Sequence, residues 1–295
     1  MDCIIVDDSG TDDSIAKVER KIGVYEGPFR FQILHHEHNK GLSAARNTGT
    51  EAATGDYIYY LDSDDEITED CIEKLMAPVL QDPSIEMVQG KRGRYRNYLG
   101  DIPSPVKRKL IRSHTLTNKD TQYYGYHLHQ LGVAAWNKLI KRSFILQHHL
   151  LFKEGFLYED SLWTFYLMKY VSNVYFVPDI TYYYRNRPNS IVTGTDRMTK
   201  AYHLCNVHKE IIINLTLGNE YQEYEFFARR FSGFYCRFAY FQPAFRDVFL
   251  LYWKKAWQLK CYAIGCKLAV SYVLGLSKWG GKVYAGWRRL RRFVI

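Results

Sequence analysis

A chain of 295 residues, 47% hydrophobic and 24% charged, has material for one large domain or two small ones, and its composition excludes a disordered or fibrous protein. The formal charge of +9 is unevenly placed, because ten of the 40 Lys and Arg residues lie in 251–295 and no Asp or Glu does, leaving 30 basic against 31 acidic side chains in 1–250. No signal peptide opens the sequence, and Leu268–Leu276 falls short of the roughly 18 apolar residues of a membrane-spanning helix. The six cysteines are scattered without a CxxC pair, the pattern of reduced, mostly buried thiols in a cytosolic protein.

Cys3-Ile4-Ile5-Val6 reads as a buried strand that ends in the acidic turn Asp7-Asp8-Ser9-Gly10. A helix is predicted over 15–22, with Asp12, Asp13 or Ser14 as its cap. Phe31–Leu34 is a second strand. Neighbouring strand residues face opposite sides, so His35, His36 and His38 read as exposed strand-end histidines, not as a metal site. Ser43 is placed to cap an alanine-rich helix running to about Thr54, where Gly55 stops it.

That helix leads into Asp56-Tyr57-Ile58-Tyr59-Tyr60-Leu61, a buried strand with Asp62, Asp64 and Asp65 at its C-terminal end. Carboxylates this close repel one another and stay ionised most easily around a cation. Hard oxygen donors suit Mg²⁺ or Mn²⁺, which usually complete their shell with the oxygens of a bound phosphate. The competing reading makes Ser63-Asp64-Asp65 the start of a helix over 68–80. Glu86–Gln89 resumes the sheet, and the strand–helix alternation of 3–90 predicts an α/β fold with a mostly parallel sheet. Residues 91–120 are basic and aperiodic, a solvated loop or a basic lid over phosphates.

Order returns with Trp136–Leu139. Glu159 and Asp160 open a helix, where carboxylates complement the dipole and where a general base beside a cleft would also stand. Val174–Val177 and Thr181–Tyr184 look like two closing strands. From Met198 on the pattern is helical. Between 251 and 295, Trp253, Trp257, Tyr262, Tyr272, Trp279, Tyr284, Trp287 and Phe293 alternate with the basic residues, which suits the headgroup level of an anionic membrane surface. A basic helical hairpin packed on its own domain is the alternative. Nucleic acid is disfavoured, since no binding fold for it accompanies the tail.

Ile4-Ile5-Val6-Asp7-Asp8-Ser9, Asn39-Lys40-Gly41-Leu42-Ser43-Ala44-Ala45-Arg46-Asn47, Gly55-Asp56-Tyr57-Ile58 with Asp62-Ser63-Asp64-Asp65, Tyr158-Glu159-Asp160 and Tyr183-Tyr184-Arg185 together resemble the family 2 inverting glycosyltransferases over about residues 2–195. The resemblance implies the GT-A (nucleotide-diphospho-sugar transferase) fold, a Rossmann-like mixed sheet flanked by helices. The domain would cover 1–195, followed by a helical, basic extension over 196–295. Asp7 and Asp8 would meet the base of a UDP-sugar donor, and Arg46 would lie near the nucleotide. Asp62 or Asp64 would touch the ribose or the metal, and Asp64 and Asp65 would hold Mn²⁺ or Mg²⁺. Asp160 would be the general base, with Glu159 beside it, and a single in-line displacement would invert the anomeric carbon.

The implied acceptor is a lipid-linked or surface glycan, and the implied location is cytoplasmic, peripheral at the inner face of the cell membrane. The family begins one strand earlier, with a Pro-x-Tyr-Asn turn, so an N-terminally truncated domain is expected. The alternative is a catalytically inactive fragment or relative acting as a membrane-surface binding module.

Overall fold

The computed structural model describes residues 1–95, 103–105, 115–116, 132–185, 194–215 and 244–260, with further helical positions between 227 and 272. They belong to two compact units, one of 1–118 with 133–186, the other of 119–132 with 187–295.

In the first unit, β1 (Asp2–Asp7) and β2 (Arg30–His35) pair in parallel through the crossover helix α1 (Ser14–Gly23). Helix α2 (Leu42–Ala52) returns across β1, with Gly49 facing Val6, where a Cβ would make an ordinary 3.5 Å contact with Val6 Cγ2. Ile4, Ile5 and Val6 are half-exposed, where the apolar run predicted burial. Among the described strands β1 pairs only with β2, so one edge of it has no sheet neighbour to cover it.

A second sheet has the order β3-β8-β5-β9-β4, from Tyr57–Tyr59, Lys138–Lys141, Met87–Tyr95, Val174–Tyr184 and Glu66–Ile67 respectively. The short strands β6 (Pro103–Pro105) and β7 (Thr115–Leu116) add to β5 and β9. Among the described strands of this sheet only β5 and β9 run parallel. The sheet is therefore mixed, as the resemblance implied, and not mostly parallel as the alternation suggested. Parallel pairing needs a crossover. Here α4 (Arg142–Gln147) and α5 (Glu159–Tyr170) lie on the path from β5 to β9, while β8 and β4 enter in the opposite sense.

Two predicted boundaries move. The strand resumed at Glu86–Gln89 continues through Lys91 and Arg92 to Tyr95, so the start of the basic stretch is sheet. Arg96, Lys107, Arg108, Lys109 and Arg112 lie outside the described residues. The closing strands at 174–177 and 181–184 are one strand, β9.

Helix α3 (Cys71–Gln81) carries the core face Cys71, Leu75 and Val79, spaced by four and buried against Ile85, Val88, Leu139 and Val177. Each of the larger aliphatic side chains contributes roughly 1.5–3 kcal/mol by leaving water. Gly90 marks the tightest approach within the sheet. A Cβ there would lie 1.9 Å from Thr181 Oγ1 and 3.0 Å from Asn137 Oδ1, two atoms bonded to each other at 2.7 Å. Gly90→Ala is expected to cost about 1–3 kcal/mol by overpacking and by separating that buried pair. An unchanged denaturant midpoint for this variant would show that the strands part freely.

The second unit contains α6 (Arg197–Asn214), capped by Asp196, whose carboxylate accepts from the Met198 and Thr199 amides. Helix α7 (Ala244–Gln258) buries Phe245, Val248, Tyr252 and Ala256. Buried His208 bonds the Tyr252 hydroxyl at 3.0 Å, and Phe231 stacks on Tyr252 at 4.6 Å. No described helix is long and apolar enough to cross a membrane. Tyr272 packs on Phe249 and Tyr235, so this tail aromatic is part of the unit's interior contacts. Trp257 and Tyr262 are about half exposed, 53% and 52%. Trp279, Tyr284, Trp287 and Phe293 lie outside the described residues. The described cysteines are free, with Cys71, Cys205 and Cys236 buried.

Candidate active site

The acidic turn of β1 serves its neighbours first. Asp8 accepts from the backbone amides of Lys40 at 2.8 Å and Gly41 at 2.7 Å, and meets His36 Nδ1 at 2.6 Å. Partial burial works against its charge, but the His36 bond and the two amides together hold its pKa below the usual value. Asp7 meets Gly10 N at 3.2 Å and His35 Nδ1 at 3.1 Å. The two histidines do face opposite sides, but only His35 is exposed. His36 is buried between Asp8 and Thr48, where its Nε2 lies 2.9 Å from the threonine hydroxyl.

Asp8 also explains how α2 begins. Gly41, at φ 90°, occupies the cap position with its amide donated to Asp8, so the helix starts at Leu42. Ser43 is inside the helix and buried, with no side-chain cap bond, which corrects its assignment as the cap.

After β3 the chain does not enter a helix. Asp65 N bonds Asp62 O at 3.1 Å, closing a turn, and Glu66–Ile67 pairs with Tyr182–Tyr183 as β4. Helix α3 begins only at Cys71. The sheet claims 66–67, so Asp64 and Asp65 are not its N-terminal residues. The turn gathers Asp62, Asp64 and Asp65 so that one carboxylate oxygen from each lies within 4.8 Å of the others. This donor set of three oxygens has the chemistry a hard divalent cation requires.

Asp65 is held at both carboxylate oxygens. Its Oδ2 accepts from the Tyr182 hydroxyl at 2.6 Å and its Oδ1 from Arg185 N at 2.7 Å. Burial nevertheless pushes its pKa up to about 6, with the Asp64 and Asp62 charges acting in the same direction against those two bonds.

On the other side, helix α5 begins with Glu159 and Asp160, directly after Tyr158 in the left-handed region at φ 65°. A bulky residue there is strained, and such strain concentrates at functional sites. Glu159 is 7% exposed and Asp160 half-buried. Arg46 reaches from α2 to both halves, donating to Glu159 Oε1 and to Asp62 Oδ1, each at 2.7 Å. Its guanidinium also lies over the Phe152 ring, 5.1 Å from the centroid.

Lys138 carried no signal in the sequence. This β8 residue is 1% exposed and donates through Nζ to the Ala134 carbonyl. Burial pulls its ammonium down to about 7, and the Asp160 charge acts in the opposite sense. A lysine among strand apolar residues reads as an exposed position until the sheet buries it.

Asp62, Asp64, Asp65, Arg46, Glu159 and Asp160 thus lie in one unit, with Asp62 and Glu159 linked through Arg46 and Lys138 in electrostatic reach of Asp160. Asp7 and Asp8 stand at the end of β1 in the same unit.

Residues 1–142 match the profile of "Glycosyl transferase family 2". The cholesterol galactosyltransferase of Borreliella burgdorferi is 25% identical over 289 residues, covering 94% of this chain and 76% of that protein. Two other curated relatives are matched over only 46% and 54% of their own length. Among solved structures, S. aureus TarS 1-349 in complex with UDP superposes with a TM-score of 0.60 at 18% identity, covering 96% of this chain and 81% of that one. The mannosyltransferase PcManGT from Pyrobaculum calidifontis, in complex with GDP-Man and Mn2+, gives a TM-score of 0.54 at 13% identity, covering 97% of this chain and 77% of that one. These likenesses show the fold.

Proposed function

From a chain whose residues 1–142 belong to glycosyl transferase family 2, on a GT-A fold, we propose an inverting transferase that moves a sugar from a UDP-sugar to a hydroxyl of a lipid-linked or surface-glycan acceptor. The carrying observation is the approach of two carboxylate groups with different tasks, Asp62–Asp64–Asp65 and Glu159–Asp160, joined by Arg46. TarS with UDP and PcManGT with GDP-Man and Mn2+ support a nucleotide-sugar donor and a metal. The cholesterol galactosyltransferase supports a lipid acceptor. In this reading 1–195 is the catalytic region and 196–295 its helical extension.

Asp62, Asp64 and Asp65 would hold Mn²⁺ or Mg²⁺, which when bound neutralises charge on the leaving nucleoside diphosphate. Asp160 accepts the acceptor hydroxyl's proton at a carboxylate oxygen as that hydroxyl attacks the anomeric carbon. The amides of the first turn of α5 favour its ionised form. Asp7 and Asp8 border the base of the nucleotide, Asp8 keeping the 36–41 loop in place beside it. Calorimetry of UDP binding with and without Mn²⁺, beside UDP release from UDP-galactose, UDP-glucose and UDP-N-acetylglucosamine, tests the reading. No metal-dependent UDP binding and no release would overturn it and favour the membrane-surface binding module.

We also propose that 251–295 meets an anionic membrane from the cytoplasmic side. Removing the whole segment would strip buried Tyr252, Ala256 and Leu268 from the second unit, so substitution is the cleaner test. Lys254→Glu with Trp257→Ser and Tyr262→Ser, all at exposed positions, should weaken sedimentation with phosphatidylserine-rich vesicles about 10-fold or more, since each basic residue at the surface contributes roughly 1 kcal/mol. Undiminished sedimentation of this variant would show that the described part of the tail is not the anchor.

A further inference from the structure

Arg46 is largely enclosed by protein, with both terminal nitrogens of its guanidinium paired. Its side chain is 9% exposed, Nη1 is held by Glu159 and Nη2 by Asp62, and the guanidinium covers the Phe152 ring. Burial works against its charge, yet the Asp62 and Glu159 carboxylates hold its pKa above the ordinary arginine value. The next residue reinforces the arrangement. Asn47 donates Nδ2 to Phe152 O and accepts from Phe152 N, both at 2.8 Å. Phe152 stacks on Trp163 of α5 at 4.8 Å, and Trp163 donates to Leu150 O at 3.0 Å. Tyr60, at the end of β3, meets both rings edge-on and bonds Thr50 of α2 at 2.7 Å.

We propose that Arg46 is a positioning residue, a strut that fixes the N-terminus of α5 against the 62–65 turn and so sets Asp160 relative to the donor end of the site. The inference rests on the roles proposed above for Asp160 and the Asp62–Asp65 turn, and it replaces a direct nucleotide contact as the task of this side chain. A planar fork spanning two carboxylates from different elements is what arginine supplies and lysine does not. Without it, Glu159 and Asp62 lose their common partner. The helix end carrying Asp160 then loses the ionic tie that Arg46 makes to the turn. A displacement on the order of 1 Å is enough to cost about 100-fold in a reaction that depends on alignment.

The test compares Arg46→Met, Arg46→Lys, Glu159→Gln and the Arg46→Met/Glu159→Gln double variant, at saturating Mn²⁺. With the best donor of the three UDP-sugars, Arg46→Met should lower kcat about 10–100-fold while donor KM stays within roughly threefold. Arg46→Lys should recover only a minor part of that loss, and the double variant should be no worse than Arg46→Met. Amide exchange gives a readout that needs no activity, with faster exchange expected in both 158–162 and 62–65 for Arg46→Met. A loss confined to UDP affinity, full rescue by lysine, strictly additive single losses, or unaltered exchange in both segments would overturn the strut. If Arg46→Met does not fold, Arg46→Lys and Glu159→Gln carry the same comparison. A parent chain that releases no UDP fails the transferase reading, and the exchange experiment still decides the role of Arg46.

Discussion

Asp160→Asn is expected to lower sugar transfer by about 10²–10⁴-fold, the usual contribution of a positioned general base, while Mn²⁺-dependent UDP affinity stays near the parent value. The substitution keeps the shape of the side chain and removes its ability to take a proton. Asp160 sits in the first turn of α5, half-buried and next to buried Glu159, which is already committed to Arg46. Glu159→Gln should therefore cost less than Asp160→Asn, through alignment alone. Lys138 gives a second consequence. The Asp160 charge is what opposes the downward pull of burial on that ammonium, so the lysine should titrate lower still in Asp160→Asn. Initial rates beside UDP affinity check the first expectation, and transfer at near the parent rate would assign the base to another residue.

Asp64→Asn is expected to weaken Mn²⁺-supported UDP binding about 10-fold or more, the scale of losing one charged group at a metal site. Asp65→Asn would in addition disturb the bonds that Asp65 receives from the Tyr182 hydroxyl and the Arg185 amide. The pH dependence follows from Asp65. A cation needs the carboxylate form, so Mn²⁺ affinity should climb as pH rises through about 6, the value to which burial and its two acidic neighbours bring this group. Without metal the sign on stability is the reverse. The folded pKa lies above the unfolded value of roughly 3.9, so the native state binds more protons between the two and loses stability as pH rises across that window. Added Mn²⁺ should remove this loss. Calorimetric affinity and thermal midpoints between about pH 4.5 and 7.5, bracketing the titration of Asp65, give both slopes with and without Mn²⁺. Flat affinity across pH 6 would take Asp65 out of the ligand set.

The α/β class, the strands that deliver Asp7–Asp8 and Asp62–Asp65, and the helix headed by Glu159–Asp160 were all legible in the chain alone. These are local matters. Apolar runs of strand length, glycine at turns and carboxylates at helix starts are written in neighbouring residues. The remaining features depend on residues far apart in the chain, and folding in three dimensions settled them. Pairing of Glu66–Ile67 with β9 keeps Asp64 and Asp65 out of α3 and leaves them in a turn. The amides of Lys40 and Gly41, more than thirty residues from Asp8, turn its carboxylate into an anchor and move the start of α2 to Leu42. A lysine in β8 becomes buried beside Asp160 only when the sheet closes. Arg46 is separated from Asp62 by 16 positions and from Glu159 by 113, and no periodicity reveals that one guanidinium holds both. Charge pairing over such separations is fixed by how α2, the β3 turn and α5 meet, because only there are two carboxylates close enough, and dry enough, to require one arginine between them.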